Sequence, residues 1–284
     1  MHHVVWNLWL TFVDVRQHRS WHITESIGTT AMAQKDANQV VVGVLALQGS
    51  FAEHASSLRR SGEGVQAVEV RVAAQLEHCD GLVIPGGEST TMARLAEREG
   101  MATALREFAA AGKPVWGTCA GLIMLSDKAE CTKQGGQALI GGLHVSVIRN
   151  FFGAQVESFE TKLPAPACIR TQGDDDHFRA VFIRAPAIAD VGEGVEVLAE
   201  YHLSEVQRQR KPDAPSKVAV AVRQGHLWAT AFHPELTSDL RWHKAFADMA
   251  REVRAARVAA ESESASFPLH ASNGYNRMEL PIYE

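Results

Sequence analysis

The chain has 284 residues, 46% of them hydrophobic, enough to bury one large α/β core, and nothing in its composition suggests a fibre or a disordered protein. A formal net charge of -5, with acidic and basic residues interspersed, provides no basic stripe, which argues against nucleic acid and membrane surfaces as partners. No apolar run approaches the roughly 20 residues of a membrane helix, and the four cysteines Cys79, Cys119, Cys131 and Cys168, with no CxxC pair, fit reduced thiols of a cytoplasmic protein better than a disulfide framework or a zinc site.

The opening segment MHHVVWNLWLTFVDV has its apolar stretch broken by Asn7 and lacks a cationic start, so it makes a poor secretory signal. Residues 1–38 are expected to be a dispensable extension, with Met32 as a natural start. A globular domain is expected over 39–258. It begins with VVVGVLAL, a continuous β-branched run typical of a strand buried on both faces. FAEHASSLRR reads as a helix, VQAVEVRV as a second strand and DGLVIP as a third. After the turn GGEST come the helices TMARLAERE and MATALREFAAA, a stop at Gly112 and the strand PVWGT. Strands alternating with helices predict a flavodoxin-like, doubly wound, mainly parallel sheet.

Beyond Leu125 the strands LHVSVIR, AVFIRAP and VEVLAEY are shorter and predict a more antiparallel second half. LSEVQRQRKPDAPS, residues 203–216, reads as a polar surface loop, and VAVAVRQGHLWATAF as a hairpin turning at Gln224 and Gly225. The last helix carries Trp242, Phe246, Met249 and Val253 on one stripe, read as core packing, and residues 259–284 are expected to be a disordered tail.

Three short motifs carry chemistry. In PVWGTCAGLIML an apolar strand runs into Cys119 and a helix starts at once, a nucleophile elbow with sulfur in place of oxygen, where Gly117 and Gly121 supply the small neighbours such a turn needs. The helix N-terminus directed at the sulfur favours a thiolate. A buried core cysteine beside a tight turn is the plain alternative. In FHPEL, His233 and Glu235 are two residues apart and leave the same face of extended backbone, so the carboxylate can orient the imidazole; a strand-end histidine beside a solvated carboxylate would look the same. PGGEST ends a different buried strand, where Gly86 or Gly87 and the N–H of Ala120 can hold an oxyanion, or Ser89 can simply cap a helix.

Together GTCAG, PGGEST and FHPE resemble the class I glutamine amidotransferases, whose fold is flavodoxin-like with a Cys-His-Glu triad. VLALQGSFAEH, RNFFGAQVESFE and VFIRAP narrow the resemblance to the glutaminase subunits of pyridoxal 5'-phosphate synthase, the Pdx2/SNO family, over most of residues 40–255. The resemblance implies Cys119 as nucleophile, His233 as acid/base and Glu235 as its orienter. It implies Gly87, Glu88, Ser89, Arg149, Ile183 and Arg184 as glutamine-binding positions, and Gln48 as lying toward the synthase subunit. A guanidinium suits the substrate α-carboxylate and Glu88 or a carbonyl its α-ammonium, although either arginine alone could be a surface ion pair.

The expected partners are L-glutamine and a synthase subunit of the Pdx1/SNZ type in a hetero-oligomer. The expected reaction runs through a cysteine thioester to glutamate and ammonia with no metal and no cofactor, pyridoxal phosphate being a product of the complex. The extension, the tail, the TQGDDDHF loop and the 203–216 insertion depart from the family pattern. Asp174 to Asp176 read as a solvated loop rather than a metal site. Two rival readings are a γ-glutamyl peptidase on the same fold and a non-catalytic scaffold for the synthase.

Overall fold

The computed structural model describes residues 39–130, 137–171 and 175–266, with residues 99 and 263–266 in backbone only. The expectations for residues 1–38, for Met32 as a start, for 267–284, and for Cys131 and Asp174 lie outside the described residues.

Strand β1 (Val40–Leu45) is buried along its whole length, as its uninterrupted apolar run requires. Helix α1 (Phe51–Arg60) returns the chain to β2 (Val65–Val70), and β3 (Gly81–Ile84) follows; β1 pairs in parallel with both strands. Helices α2 (Ser89–Ala96) and α3 (Met101–Ala110) precede β4 (Val115–Thr118), which pairs in parallel with β3. A six-residue helix, α4 (Ala120–Leu125), follows Cys119.

The second half contains β5 (Ser126–Glu130), β6 (Leu143–Ile148), β7 (Phe159–Pro164), β8 (His177–Phe182), β9 (Ala187–Val191), β10 (Glu196–His202), helix α5 (Glu205–Arg210), β11 (Lys217–Gln224), β12 (Leu227–Thr230) and helix α6 (Arg241–Ser266). The main sheet runs β2-β1-β3-β4-β12-β11-β9-β6-β5, with β10 on β11, while β7 and β8 form a separate two-stranded sheet. From β2 through β12 all pairs are parallel, and β12-β11, β11-β9 and β9-β6 are antiparallel. The expected fold class is therefore the observed one: a flavodoxin-like order in the first half and a largely antiparallel second half.

Four local expectations are corrected. The 203–216 segment is not all loop, because Ser204 Oγ accepts from Gln207 N–H at 3.3 Å and Gln207 Oε1 accepts from Ser204 N–H at 2.9 Å, a reciprocal cap that starts α5. The pattern S-x-x-Q was visible in SEVQ. The hairpin turns at Gly225 and His226, since Gln224 is already paired with Leu227. AVFIRAP leaves its strand at Phe182, placing Ile183 and Arg184 in a loop. Helix α6 continues to Ser266, beyond the boundary expected at 258, because the alanines and glutamates of AAESE propagate a helix that no glycine or proline interrupts.

Helix α5 packs on the 149–157 segment: Arg210 pairs with Glu157, and Lys211 Nζ lies 5.0 Å from the Phe151 ring centroid. Losing the Ser204 cap should cost about 1 kcal/mol locally. Ser204→Ala is thus expected to speed amide exchange within 205–210 roughly fivefold, measured by hydrogen exchange, with the global melting temperature unchanged. Among the described residues no helix is long and apolar enough to cross a membrane.

Candidate active site

The C-terminal ends of β1, β3, β4 and β12 point to one edge of the sheet, where open α/β sheets place their ligands. At that edge is a cavity of about 220 Å³ lined by Gly86, Gly87, Glu88, Ser89, Cys119, Ala120, Arg149, Ile183, Arg184 and His233, all anticipated from sequence, together with Gly49, Ser50, Ile123, Asn150 and Leu236, which were not. Its volume suits one small molecule and is below the ~300–1,000 Å³ of drug-sized sites.

Cys119 occupies the elbow with φ 47° and ψ -97°, strained for a residue with a side chain. Three contacts enforce it. The Cys119 N–H donates to Thr230 O at 2.8 Å, fastening the turn to β12. A Cβ on Gly117 would lie 2.4 Å from Gly121 C, and one on Gly121 would lie 2.0 Å from Ile84 O, so both flanking positions must be bare. Asn150 and Arg184 are the other non-glycine residues with positive φ among those described. All three line this cavity, and strain concentrated around one cleft is a mark of a functional site.

His233 leaves the end of β12 with its N–H donating to Val181 O at 2.9 Å. Its Nδ1 lies 2.8 Å from Glu235 Oε1, which also accepts from Ser50 Oγ at 2.7 Å. A carboxylate only accepts, so Nδ1 carries the proton and the buried Nε2 is left for the sulfur of Cys119. A Cβ on Gly86 would meet His233 Cε1 at 2.4 Å and Cys119 Cβ at 3.4 Å, so the bare glycine lets the imidazole and the Cys119 side chain close on each other.

Burial works against a charged His233, but the charge and hydrogen bonding of Cys119, then the hydrogen bond and charge of Glu235, outweigh it and raise its pKa from 6.5 to about 10. Burial likewise opposes the Glu235 carboxylate, yet His54 and His233 hold it well below the usual value. Removing the sulfur removes the leading cause that raises His233. Cys119→Ala is expected to lower the His233 pKa by more than about one unit, followed by NMR titration of the imidazole.

On the cavity wall Arg149, with its side chain 10% exposed, reaches Glu88 Oε1 at 3.5 Å and Thr90 Oγ1 at 3.2 Å, and its Nε is buried without a partner. Arg184 lies 3.6 Å from the other Glu88 oxygen. A guanidinium with an unused donor beside a carboxylate suits a ligand carrying both a carboxylate and an ammonium. Ala120 opens α4, so its N–H has no intrahelical acceptor. Gln48 is in the second layer, where its Oε1 accepts from Glu88 N–H at 2.8 Å. Sequence reasoning missed Ser50 on the pocket wall and, behind it, His54, Thr118 and His243; the two histidines stand among core positions of α1 and α6, and a histidine beside an apolar stripe was the available signal.

A strained cysteine at a strand-to-helix turn, an oriented imidazole and a paired charge site describe a thiol hydrolase for a small zwitterionic substrate. The model of the SNO glutamine amidotransferase family matches residues 44–252, and the chain belongs to that family. A probable pyridoxal 5'-phosphate synthase subunit PDX2 of Arabidopsis thaliana is 51% identical over 257 residues, covering 86% of this chain and 100% of the relative. The pyridoxal 5'-phosphate synthase subunit PdxT of Niallia circulans is 49% identical over 214 residues, 75% of this chain and 99% of its own. A crystal structure of a glutamine amidotransferase superposes with TM-score 0.61 at 42% identity, covering 74% of this chain and 98% of that one.

Proposed function

We infer that this chain is the glutaminase subunit of a pyridoxal 5'-phosphate synthase, hydrolysing L-glutamine to L-glutamate and ammonia for a synthase subunit of the Pdx1/SNZ type. The single observation that carries the chemistry is the meeting, at one sheet edge, of the strained Cys119 with a His233 whose Nδ1 is fixed by Glu235. The relatives described as synthase subunits support the assignment to pyridoxal phosphate synthesis. Cys119 and Cys168 are free thiols, which fits work in the cytoplasm.

In this reading the Cys119 sulfur attacks the glutamine δ-carbonyl carbon, and the amides of Gly87 and Ala120 receive the oxyanion, worth roughly 2.7–4 kcal/mol per donor. His233, charged beside the sulfur, gives its Nε2 proton to the leaving nitrogen, so that ammonia departs and a γ-glutamyl thioester remains. The neutral ring then takes a proton from water as it attacks the thioester and keeps it as the carbon–sulfur bond breaks, so glutamate leaves and the charged ring beside the sulfur is restored. Arg149 and Arg184 hold the α-carboxylate, Glu88 the α-ammonium, and Ser89 and Ile183 border the same pocket. Gln48, through its bond to Glu88 N–H, ties the loop nearest the proposed synthase contact to the ligand-binding turn.

The test is ammonia release from glutamine by the full chain, with and without a synthase subunit. Ammonia appearing with the subunit supports the proposal, and none in its presence overturns it. Cleavage of γ-glutamyl peptides in preference to glutamine would replace it with the peptidase reading. Arg149→Lys keeps a charge but loses the planar fork; it is expected to raise KM for glutamine about tenfold or more with kcat within about threefold.

A further inference from the structure

Behind Glu235 lies a second chain of buried polar groups that the proposed reaction does not use directly. His54 and His243 are both fully buried, and the side chain of Glu235 is 0% exposed. His54 Nε2 lies 3.0 Å from Thr118 Oγ1 and 3.2 Å from Glu235 Oε2, while its Nδ1 lies 3.0 Å from His243 Nε2. Both rings stand edge-on to Trp116, with centroids 5.6 and 5.1 Å from it, so neither can turn without disturbing the core.

Hydrogen-bond arithmetic selects one arrangement of protons. Glu235 Oε1 is already engaged by His233 and Ser50, whereas Oε2 has no hydrogen bond of good geometry, and His54 Nε2 is the polar group facing it. If Thr118 donated to Nε2, a nitrogen lone pair would face a carboxylate oxygen at 3.2 Å inside the protein. His54 Nδ1–H would then donate to His243 Nε2, leaving His243 Nδ1, which is buried without a partner, as an orphaned N–H. With the order reversed, His243 Nε2–H donates to His54 Nδ1, and His54 Nε2–H is shared between Thr118 and Glu235. Only a bare acceptor on His243 is then unpaired, the cheaper of the two.

We propose that His54 is a positioning residue for glutamine hydrolysis, donating from Nε2 to hold Glu235 against His233, with His243 behind it fixing the tautomer that makes His54 a donor. This rests on the reading of Cys119, His233 and Glu235 given above. The groups facing Glu235 are His233 and Cys119 at the pocket, Ser50 and His54 at the start of α1, Thr118 at the end of β4, and His243 on α6, itself near the charge of Arg60. Burial and His54 hold His243 well below the ordinary histidine value, in keeping with a neutral ring. His54 is outside the cavity lining, so its effect should appear in kcat and its pH profile rather than in KM.

The experiment measures kcat and KM for glutamine against pH in the assembled synthase for wild type, His54→Leu, His54→Gln and His54→Asn. His54→Leu is expected to lower kcat about 10- to 100-fold near neutral pH and to move the acidic limb upward by about one unit, because Glu235 without its donor is easier to protonate. A glutamine amide nitrogen reaches the Nε2 position, so His54→Gln should recover at least about tenfold and restore the limb. An asparagine amide nitrogen reaches only the Nδ1 side and should resemble leucine. If His54→Leu does not fold, the Gln and Asn pair decides the matter. Identical profiles for those two, a wild-type profile in any folded Leu variant, or an effect confined to KM would overturn the proposal. Failure of the underlying triad reading looks different, since wild type would then release no ammonia or Cys119→Ala would retain it.

Discussion

Replacing Cys119 with Ala is expected to eliminate ammonia release from glutamine in the assembled synthase, lowering kcat by at least about 10⁴-fold, while glutamine binding and the fold persist. The reason is the division of labour in the pocket. Arg149, Arg184 and Glu88 are charged groups of the same cavity that can take the substrate's α-groups without help from the sulfur, so ground-state affinity should survive the loss of the thiol. The side chain removed is small, and the cavity floor is built from backbone whose elbow is fastened to Thr230 O through the Cys119 N–H, a bond that alanine retains. Measured ammonia release and isothermal titration with glutamine, run side by side, separate the two effects. A variant that still hydrolyses glutamine would refute the thioester route, and one that no longer binds glutamine would show that the sulfur contributes to affinity.

The parallel half of the sheet was legible because β1, β3 and β4 are continuous apolar runs, and such runs admit few roles in a chain of this size. The elbow was legible for a related reason: a cysteine between two glycines at a strand-to-helix boundary leaves a local trace. Strands β5, β7 and β9 were not foreseen. SDKAE and FETKLP are mostly polar, lack the period-2 alternation that marks a strand, and expose much of their length, so their pairing is set by partners distant in sequence rather than by local pattern.

The site divides along the same line. Ten of the residues that line the pocket were found through short motifs, whereas Ser50, His54 and His243 are tied, directly or through one another, to a carboxylate that is 185 positions from Ser50 in the chain. Nothing local to α1 or α6 announces that their buried histidines meet. His243 stands in the apolar stripe between Trp242 and Phe246, where core packing is the reading that sequence favours. Only the fold, by laying both helices near the end of β4, brings the two rings within 3.0 Å.

The elbow also supplies the largest expected effect on stability. Gly121→Ala would put a Cβ 2.0 Å from Ile84 O and 2.8 Å from Ile84 C, both backbone atoms of a strand buried on every side. A flexible side chain could swing away from such a clash, but β3 is paired with β1 and β4, so relief requires α4 to lift off the sheet. That would cost more than the ~1–3 kcal/mol of ordinary overpacking, on the order of 4 kcal/mol or more. For a domain of this size the melting temperature should fall by roughly 8–16 °C, and the nucleophile would move with the turn, so activity at low temperature should drop with it. Gly62→Ala is the matched control: its added Cβ meets nothing nearer than Val65 Cγ2 at 3.9 Å, so its melting point should stay close to wild type. If calorimetry showed both alanines equally harmless, the close packing of α4 on β3 could not be what holds Cys119 at positive φ, and the strain at the nucleophile would need another source.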